Sequence, residues 1–153
     1  MGSYSVTRTT TVDAPAHEVH ALIDDFHAWT QWSPWEDLDP ELQRTYSGSE
    51  RGVGAVYQWS GNRKAGQGRM EITRSSPEDV EVALDFLKPF KSSSTTTFSL
   101  AASGNGTVVE WRMTGEQKGL MSALGKVYSM DRLIGPDFEK GLARLKTLAE
   151  QGS

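Results

Sequence analysis

The sequence contains no cysteine. Disulfides, thiol nucleophiles and thiolate metal ligands are therefore excluded, and any chemistry must come from other groups. It also has no hydrophobic run approaching the roughly 18–20 residues that a membrane-spanning helix needs, so we predict no membrane insertion. The first residues show no basic stretch followed by an apolar one, as a secretory signal would, and we expect a cytoplasmic location.

Clusters of positive charge are missing as well. The 16 Lys and Arg residues are scattered among 20 Asp and Glu residues, for a net charge of −4. Because nucleic-acid affinity comes largely from clustered Lys and Arg, we expect no nucleic-acid partner. The segment GVGAVY lacks the third glycine and the following helix of a dinucleotide site, and no Gly-x-Ser-x-Gly elbow is present. The sequence therefore predicts no cofactor.

The first third of the chain shows strand and then helix patterns. Residues 3–12 are rich in Thr, Val and Tyr, which favours a strand. Asp13-Ala14-Pro15 is a helix-start signal, with an Asp to accept from free amides and a Pro in the first turn, and the predicted helix extends to about Asp24. Residues 26–35 (FHAWTQWSPW) carry three Trp and end in a Pro turn, which predicts a short second helix and a turn.

The middle of the chain predicts a β-meander. Turn residues separate segments at about ten-residue spacing, and apolar residues alternate with charged ones, as in a sheet with one dry and one wet face. The predicted strands cover residues 42–49, 53–60, 66–75, 79–87, 92–101 and 106–115.

From Gly119 to Glu150 the apolar residues recur every three or four positions, which predicts a long helix. Gly135-Pro136 interrupts this pattern. Because proline cannot donate to the carbonyl of Arg132, we expect either a kink or a new helix start with Pro136 in the first turn. No repeat or linker is evident, so residues 1–153 are predicted to form a single domain.

This order of elements resembles the polyketide cyclase/dehydrase family of the START-like helix-grip (SRPBCC) superfamily, which also contains the birch-pollen-allergen type. The resemblance rests on motifs along nearly the whole chain: FHAWTQWSPW, YQWSGN, GQGRMEI, FLKPF, TTTFSL and DFEKGLARLK. It implies an α+β helix-grip fold, in which a seven-stranded antiparallel sheet wraps around the C-terminal helix. It also implies a cavity between them for lipids, hormones, flavonoids or polyketides, although a fold alone does not fix an activity.

The inward-facing residues are candidates for such a ligand site. Ligand sites consist mostly of apolar walls with a few polar groups, but the same residues would also fill a solid core. The candidates are Trp32, Trp35, Tyr57, Trp59, Met70, Ile72, Leu84, Phe86, Phe98, Trp111, Met113, Met130, Asp131, Ile134 and Phe138. The three Trp of residues 29–35 could form an aromatic rim at the cavity mouth or could staple the short helix to the sheet.

Asp131 is the weak catalytic candidate, because it lies between Val127 and Ile134 on the apolar face of the last helix. Burial raises the pKa of an unpaired carboxyl group, so Asp131 could anchor a ligand hydroxyl or act as a general base. Alternatively, it pairs with an Arg or marks a helix start.

A set of His and Asp side chains recurs along one face of the first helix. Such residues can bind zinc or iron, but without a motif of fixed spacing a solvated face explains them better, and we predict no metal. The set is His17, His20, Asp24 and His27.

We therefore expect a binder or carrier of a small hydrophobic molecule, lipid- or polyketide-like, that acts as a monomer or homodimer without catalysis. It would bind by removing apolar surface from water, at roughly 25 cal/mol per Å². One alternative is a cyclase or dehydratase that acts on a polyketide-like substrate in the same cavity. Another is a protein-interaction module without a ligand.

Overall fold

The computed structural model describes residues 3–35, 39–63, 65–88, 91–116 and 130–151. In chain order its elements are β1 (Ser3–Val12), α1 (Ala16–Ile23), α2 (Phe26–Trp29), β2 (Gln43–Gly48), β3 (Ala55–Ser60), β4 (Gln67–Ser76), β5 (Asp79–Lys88), β6 (Ser92–Ser103), β7 (Gly106–Glu116) and α3 (Met130–Gln151). Each strand agrees with its predicted range to within two residues at either end. The prediction of an α+β helix-grip fold is confirmed.

The strands form one antiparallel sheet in the order β1-β7-β6-β5-β4-β3-β2. From β2 to β7 each strand pairs with the next one along the chain, as in a meander. The exception is β1, which pairs with β7 along its whole length, from Ser3↔Glu116 to Val12↔Thr107. The edges of the sheet are therefore β1 and β2.

The two faces of the sheet differ as the alternation predicts. On β5 the buried side chains are Val80, Val82 and Leu84, and their neighbours in sequence face outward. The outward face carries ion pairs such as Arg69 with Glu71, whose closest atoms are 2.9 Å apart. One face is therefore available for packing against the helices.

Helix α1 begins one residue later than the helix-start signal suggests, and Asp13 does not cap it. Its N-cap is Pro15, which has an extended backbone and makes no side-chain capping bond. The amide of Asp13 instead donates to Oε2 of Glu150 at 2.8 Å. The prediction of an Asp13 cap with Pro15 in the first turn was therefore wrong, because Pro15 itself is the N-cap residue and Asp13 lies two residues before it.

Helix α3 continues through Pro136, so the predicted new start at this residue was wrong, and a kink there stays a prediction. The part of the predicted helix before residue 130 lies outside the described residues. Within the described part, no helix is long and apolar enough to cross a membrane.

Several hydrogen bonds tie α3 to the edge strand β1. Nζ of Lys146 donates to the carbonyl of Thr11 at 2.8 Å, and Nε of Arg8 donates to Oε2 of Glu139 at 2.8 Å. Arg8 also donates through Nη1 to the carbonyl of Thr7. Because the end of α3 contacts the end of β1 and its middle contacts Arg8, Tyr4 lies toward the beginning of the helix.

Candidate functional site

Burial divides the apolar side chains that lie between the sheet and the helices into two groups, a closed part and an open part. The closed part consists of Trp29, Trp32, Phe98, Trp111 and Phe138, each at most 3% exposed. Other side chains pack on the core but stay only partly buried, and those on the strands are Tyr4, Tyr46, Trp59, Met70 and Phe86. Together with Ile134 of α3, we call them the open part.

The closed part is a network of interlocking rings. The ring of Trp111 stacks on Phe138 of α3, with centroids 4.1 Å apart and an interplanar angle of 6°. Trp32 meets both Trp111 and Phe98 edge to face, at 5.7 and 5.8 Å. Edge-to-face and offset-stacked pairs of this kind add to the free energy of burial. This part of the face is a solid core.

Trp29 and Trp32 staple the short helix to its neighbours. Nε1 of Trp29 donates to the carbonyl of Ile23 at 2.7 Å, and Nε1 of Trp32 donates to that of Leu22 at 2.8 Å. Since the Trp32 side chain is 0% exposed, it does not form a wet rim. The rings of Trp29 and Trp32 contact Phe98 of the sheet, with centroids 5.6 and 5.8 Å away, as the stapling alternative predicts. Trp35 is partly buried, with its ring 5.7 Å from Trp111, and its rim role stays a prediction.

In the open part, the ring of Trp59 on β3 passes over a glycine of β4 and reaches β5. Trp59 of β3 pairs with Gly68 of β4, and a Cβ on Gly68 would collide with the indole ring. The ring therefore extends over β4 and meets Phe86 of β5 edge to face at 5.5 Å. Its Nε1 donates to the carbonyl of Ala65 at 2.9 Å, which fixes the ring in this position.

Tyr4 makes the same kind of crossing from the other edge of the sheet. It pairs with Gly115 of β7, and a Cβ on Gly115 would lie only 2.7 Å from the Tyr4 hydroxyl oxygen. The phenol thus lies over β7, which places its hydroxyl toward Ser94, the residue opposite Gly115 on β6. Burial raises the pKa of Tyr4 and the neighbouring Ser94 hydroxyl lowers it by a smaller amount, so the phenol stays neutral at ordinary pH.

The candidate residues from the sequence therefore have different surroundings. Trp59, Met70, Phe86 and Ile134 lie in the open part, as stated above. Those nine-tenths or more buried are Trp32, Tyr57, Ile72, Leu84, Phe98, Trp111, Met113 and Phe138. The side chains of Met130 and Asp131 lie outside the described residues, so both stay predictions.

The sequence analysis did not identify Tyr4 and Ser94. Tyr4 has the parity of the buried Val6, so alternation along β1 alone could have placed it on the inward face. Its contact with Ser94 could not be foreseen, because it depends on the pairing of β1 with a strand about 100 residues away.

Four polar side chains meet at the end of α1. Nε2 of His20 is 3.1 Å from the hydroxyl of Ser75, and Nδ1 of His20 is 3.6 Å from Oδ2 of Asp24. The order of these groups is that of a Ser-His-Asp triad, but Asp24 makes its shorter contact, 2.7 Å, with Arg51. Since 3.6 Å is too long for a hydrogen bond, Asp24 is held by Arg51 rather than positioned to orient His20. We interpret the group as a structural link between α1, β4 and the loop after β2.

His27 does not belong to this group. Its ring stacks on that of Tyr46, with the two centroids 4.0 Å apart. Among the described residues, His, Asp and Glu side chains form no group of three that could hold a metal ion.

A groove of about 250 Å³ lies between β1 and α3. Most of its lining is polar or charged: Arg8, Thr9, Thr10, Glu139, Leu142, Ala143 and Lys146. This lining does not match the apolar site that the sequence predicts. The existence of an enclosed cavity between sheet and helix stays a prediction.

Comparison with known proteins identifies one family. The sequence model described as "Polyketide cyclase / dehydrase and lipid transport" matches residues 3–150. No curated protein matches the sequence.

Solved structures with the same fold cover almost the whole chain at low sequence identity. The structure of protein CV1439 from Chromobacterium violaceum is 14% identical, with a TM-score of 0.68, over 96% of this chain and 98% of that one. A protein from Nitrosospira multiformis is 20% identical, with a TM-score of 0.67, over 95% of both chains. The di-domain ARO/CYC StfQ from the steffimycin biosynthetic pathway is 13% identical, with a TM-score of 0.68, over 97% of this chain and 51% of that one.

Proposed function

The chain belongs to the polyketide cyclase/dehydrase and lipid transport family, and from this membership we propose that it binds a small, largely apolar molecule against the open part of the sheet. The family description names both a chemical transformation and a transport role, so binding of an apolar molecule is common to either activity. The expectations of a cytoplasmic location and of a monomer or homodimer stay predictions.

The observation that carries the proposal is the difference in burial between the two parts of one face. The aromatic rings of the closed part are shielded by each other and by α3, whereas Trp59, Met70 and Phe86 on the same face remain partly buried. Apolar side chains gathered on one face and left partly accessible are typical of ligand sites.

The hydrophobic effect sets the scale of affinity. A two-ring aromatic ligand would bury an apolar area comparable to that of one aromatic side chain, roughly 150–250 Å². At about 25 cal/mol per Å² this corresponds to about 4–6 kcal/mol. The expected dissociation constant for a simple aromatic probe is therefore about 0.05–1 mM, and a natural ligand with more buried surface would bind more tightly.

Neighbouring residues of β5 provide a matched test. Phe86 lies in the open part, whereas the next residue, Leu87, is 44% exposed on the outward face. We expect Phe86→Glu to abolish uptake of the apolar dye Nile red, because a carboxylate would then line the site, and Leu87→Glu to leave uptake unchanged. Thermal unfolding of both variants controls for loss of fold. Equal uptake by Phe86→Glu and the unmodified protein would contradict the proposal.

Native mass spectrometry of freshly purified protein addresses the natural ligand. We expect an adduct of constant mass that organic solvent extracts, and that is depleted in Phe86→Glu but not in Leu87→Glu.

A cyclase or dehydratase activity is the second candidate, and the family description favours it. The hydroxyl groups of Tyr4 and Ser94 would supply proton-donating groups within the open part. A time course with a linear polyketide-like substrate separates the two functions, since a carrier releases the substrate unchanged. If an acid or base on α3 takes part, Asp131→Asn should lower turnover without lowering binding.

A further inference from the structure

We infer that the hydroxyl pair of Tyr4 and Ser94 is the polar anchor of the ligand site, and that it selects planar aromatic ligands carrying a carbonyl oxygen at one end. This inference deepens the proposed function and rests on it. It assigns a recognition role to two residues and names the chemical class that they distinguish.

The strand register places the pair beside the aromatic side of the open part. Ser94 lies opposite Leu84 of β5, and Phe86 follows two residues further along that strand, opposite Ser92. Diagonal neighbours of this kind are about 7–8 Å apart. A two-ring ligand that packs on Phe86 and Trp59 would therefore bring a substituent at its far end to the hydroxyl pair.

The hydroxyl groups can offer a hydrogen-bond donor to such a substituent. Each hydroxyl carries one O–H group, so the pair has at least one O–H for a ligand acceptor even when the two hydroxyls bond to each other. Because the ordinary pKa of a phenol is about 10, this donor is retained at neutral pH. A carbonyl oxygen accepts such a bond and an alkene carbon does not.

Gly115 explains sterically how the Tyr4 ring can extend across β7. A side chain at position 115 would occupy the path that the Tyr4 ring takes across β7. The hydroxyl reaches Ser94 only because this position has no Cβ, just as Trp59 reaches Phe86 across Gly68. The two crossings bring an aromatic surface and a polar group to the same part of the sheet.

The test uses two ligands of nearly identical shape, 2-acetylnaphthalene and 2-isopropenylnaphthalene, which differ in the carbonyl oxygen. Their dissociation constants are measured by calorimetry for the unmodified protein and for Tyr4→Phe, Ser94→Ala and Ser93→Ala. Ser93 is the matched control, because its hydroxyl donates to Asp85 on the exposed side of the sheet.

The net contribution of a hydrogen bond between uncharged groups corresponds to about a 2- to 13-fold change in affinity. We expect Tyr4→Phe and Ser94→Ala to weaken binding of the acetyl compound by this factor while leaving the isopropenyl compound unchanged, and Ser93→Ala to affect neither. Ser94→Ala alone decides the matter if Tyr4→Phe does not fold.

If neither Tyr4→Phe nor Ser94→Ala selectively weakens binding of the acetyl compound, or if the unmodified protein binds Nile red but neither naphthalene, the anchor is wrong and the proposed function stands. If the unmodified protein binds neither ligand nor Nile red, the proposed function fails and the anchor with it.

Discussion

Substitution of Gly141 tests how tightly α3 packs on the sheet. A Cβ at this position would lie 2.8 Å from Cζ3 of Trp111 and 3.0 Å from Cδ of Pro34. Trp111 cannot move aside easily, because it is 1% exposed and stacked on Phe138. Gly141→Ala therefore forces the helix and the sheet apart or distorts the ring.

Two opposing effects decide how much Gly141→Ala changes the free energy of unfolding. Replacing a helical glycine by alanine favours the helix by about 1 kcal/mol. Overpacking in a closed core costs about 1–3 kcal/mol. We expect Gly141→Ala to lower the free energy of unfolding by about 1 kcal/mol, equivalent to about 2–4 °C in Tm for a chain of this size.

A double-mutant cycle isolates the contact. In a Trp111→Phe background the indole atom next to position 141 is gone, so Gly141→Ala should become neutral or stabilising, with a coupling free energy of about 1–2 kcal/mol. Urea unfolding followed by far-UV circular dichroism measures all four proteins. If Gly141→Ala stabilises the unmodified protein, or has the same effect in both backgrounds, the close packing inferred here is wrong.

Two further predictions concern Trp32 and Tyr4. Trp32→Phe removes both buried volume and the hydrogen bond to the carbonyl of Leu22, and should lower the free energy of unfolding by about 2–4 kcal/mol in urea titrations; a loss below 1 kcal/mol would contradict the stapling role. Because burial raises the pKa of Tyr4 above 10.0, the unfolded chain releases this proton first, so stability should fall as pH rises above 10. Tyr4→Phe should reduce this loss of stability above pH 10. If the free energy of unfolding of Tyr4→Phe has the same pH dependence as that of the unmodified protein, Tyr4 does not contribute to the loss.

The fold could be predicted from the sequence because its signals are local. Val80, Val82 and Leu84 alternate without interruption, and turn residues delimit the strand that contains them. Alternation also indicated which face of the strands from β3 to β7 is buried, since it requires no knowledge of the neighbouring strand.

The details of the site depend on contacts between distant residues, which no local pattern encodes. Asp13 looked like a helix cap, but its amide bonds to Glu150 at the other end of the chain. Likewise, the spacing of Trp29 and Trp32 predicted neither their burial nor the backbone carbonyls that their indole groups reach. The proximity of Tyr4 and Ser94 is another contact between distant residues, because it depends on the register of the three strands β1, β7 and β6.

The bonds along β1 also bear on how this protein behaves at high concentration. Edge strands with free backbone groups can add strands from other copies and so start aggregation. Here the carbonyls of Thr7 and Thr11 already accept hydrogen bonds from Arg8 and Lys146. A second molecule could extend the sheet at this edge only by displacing those cationic side chains, which protects the protein against self-association through β1.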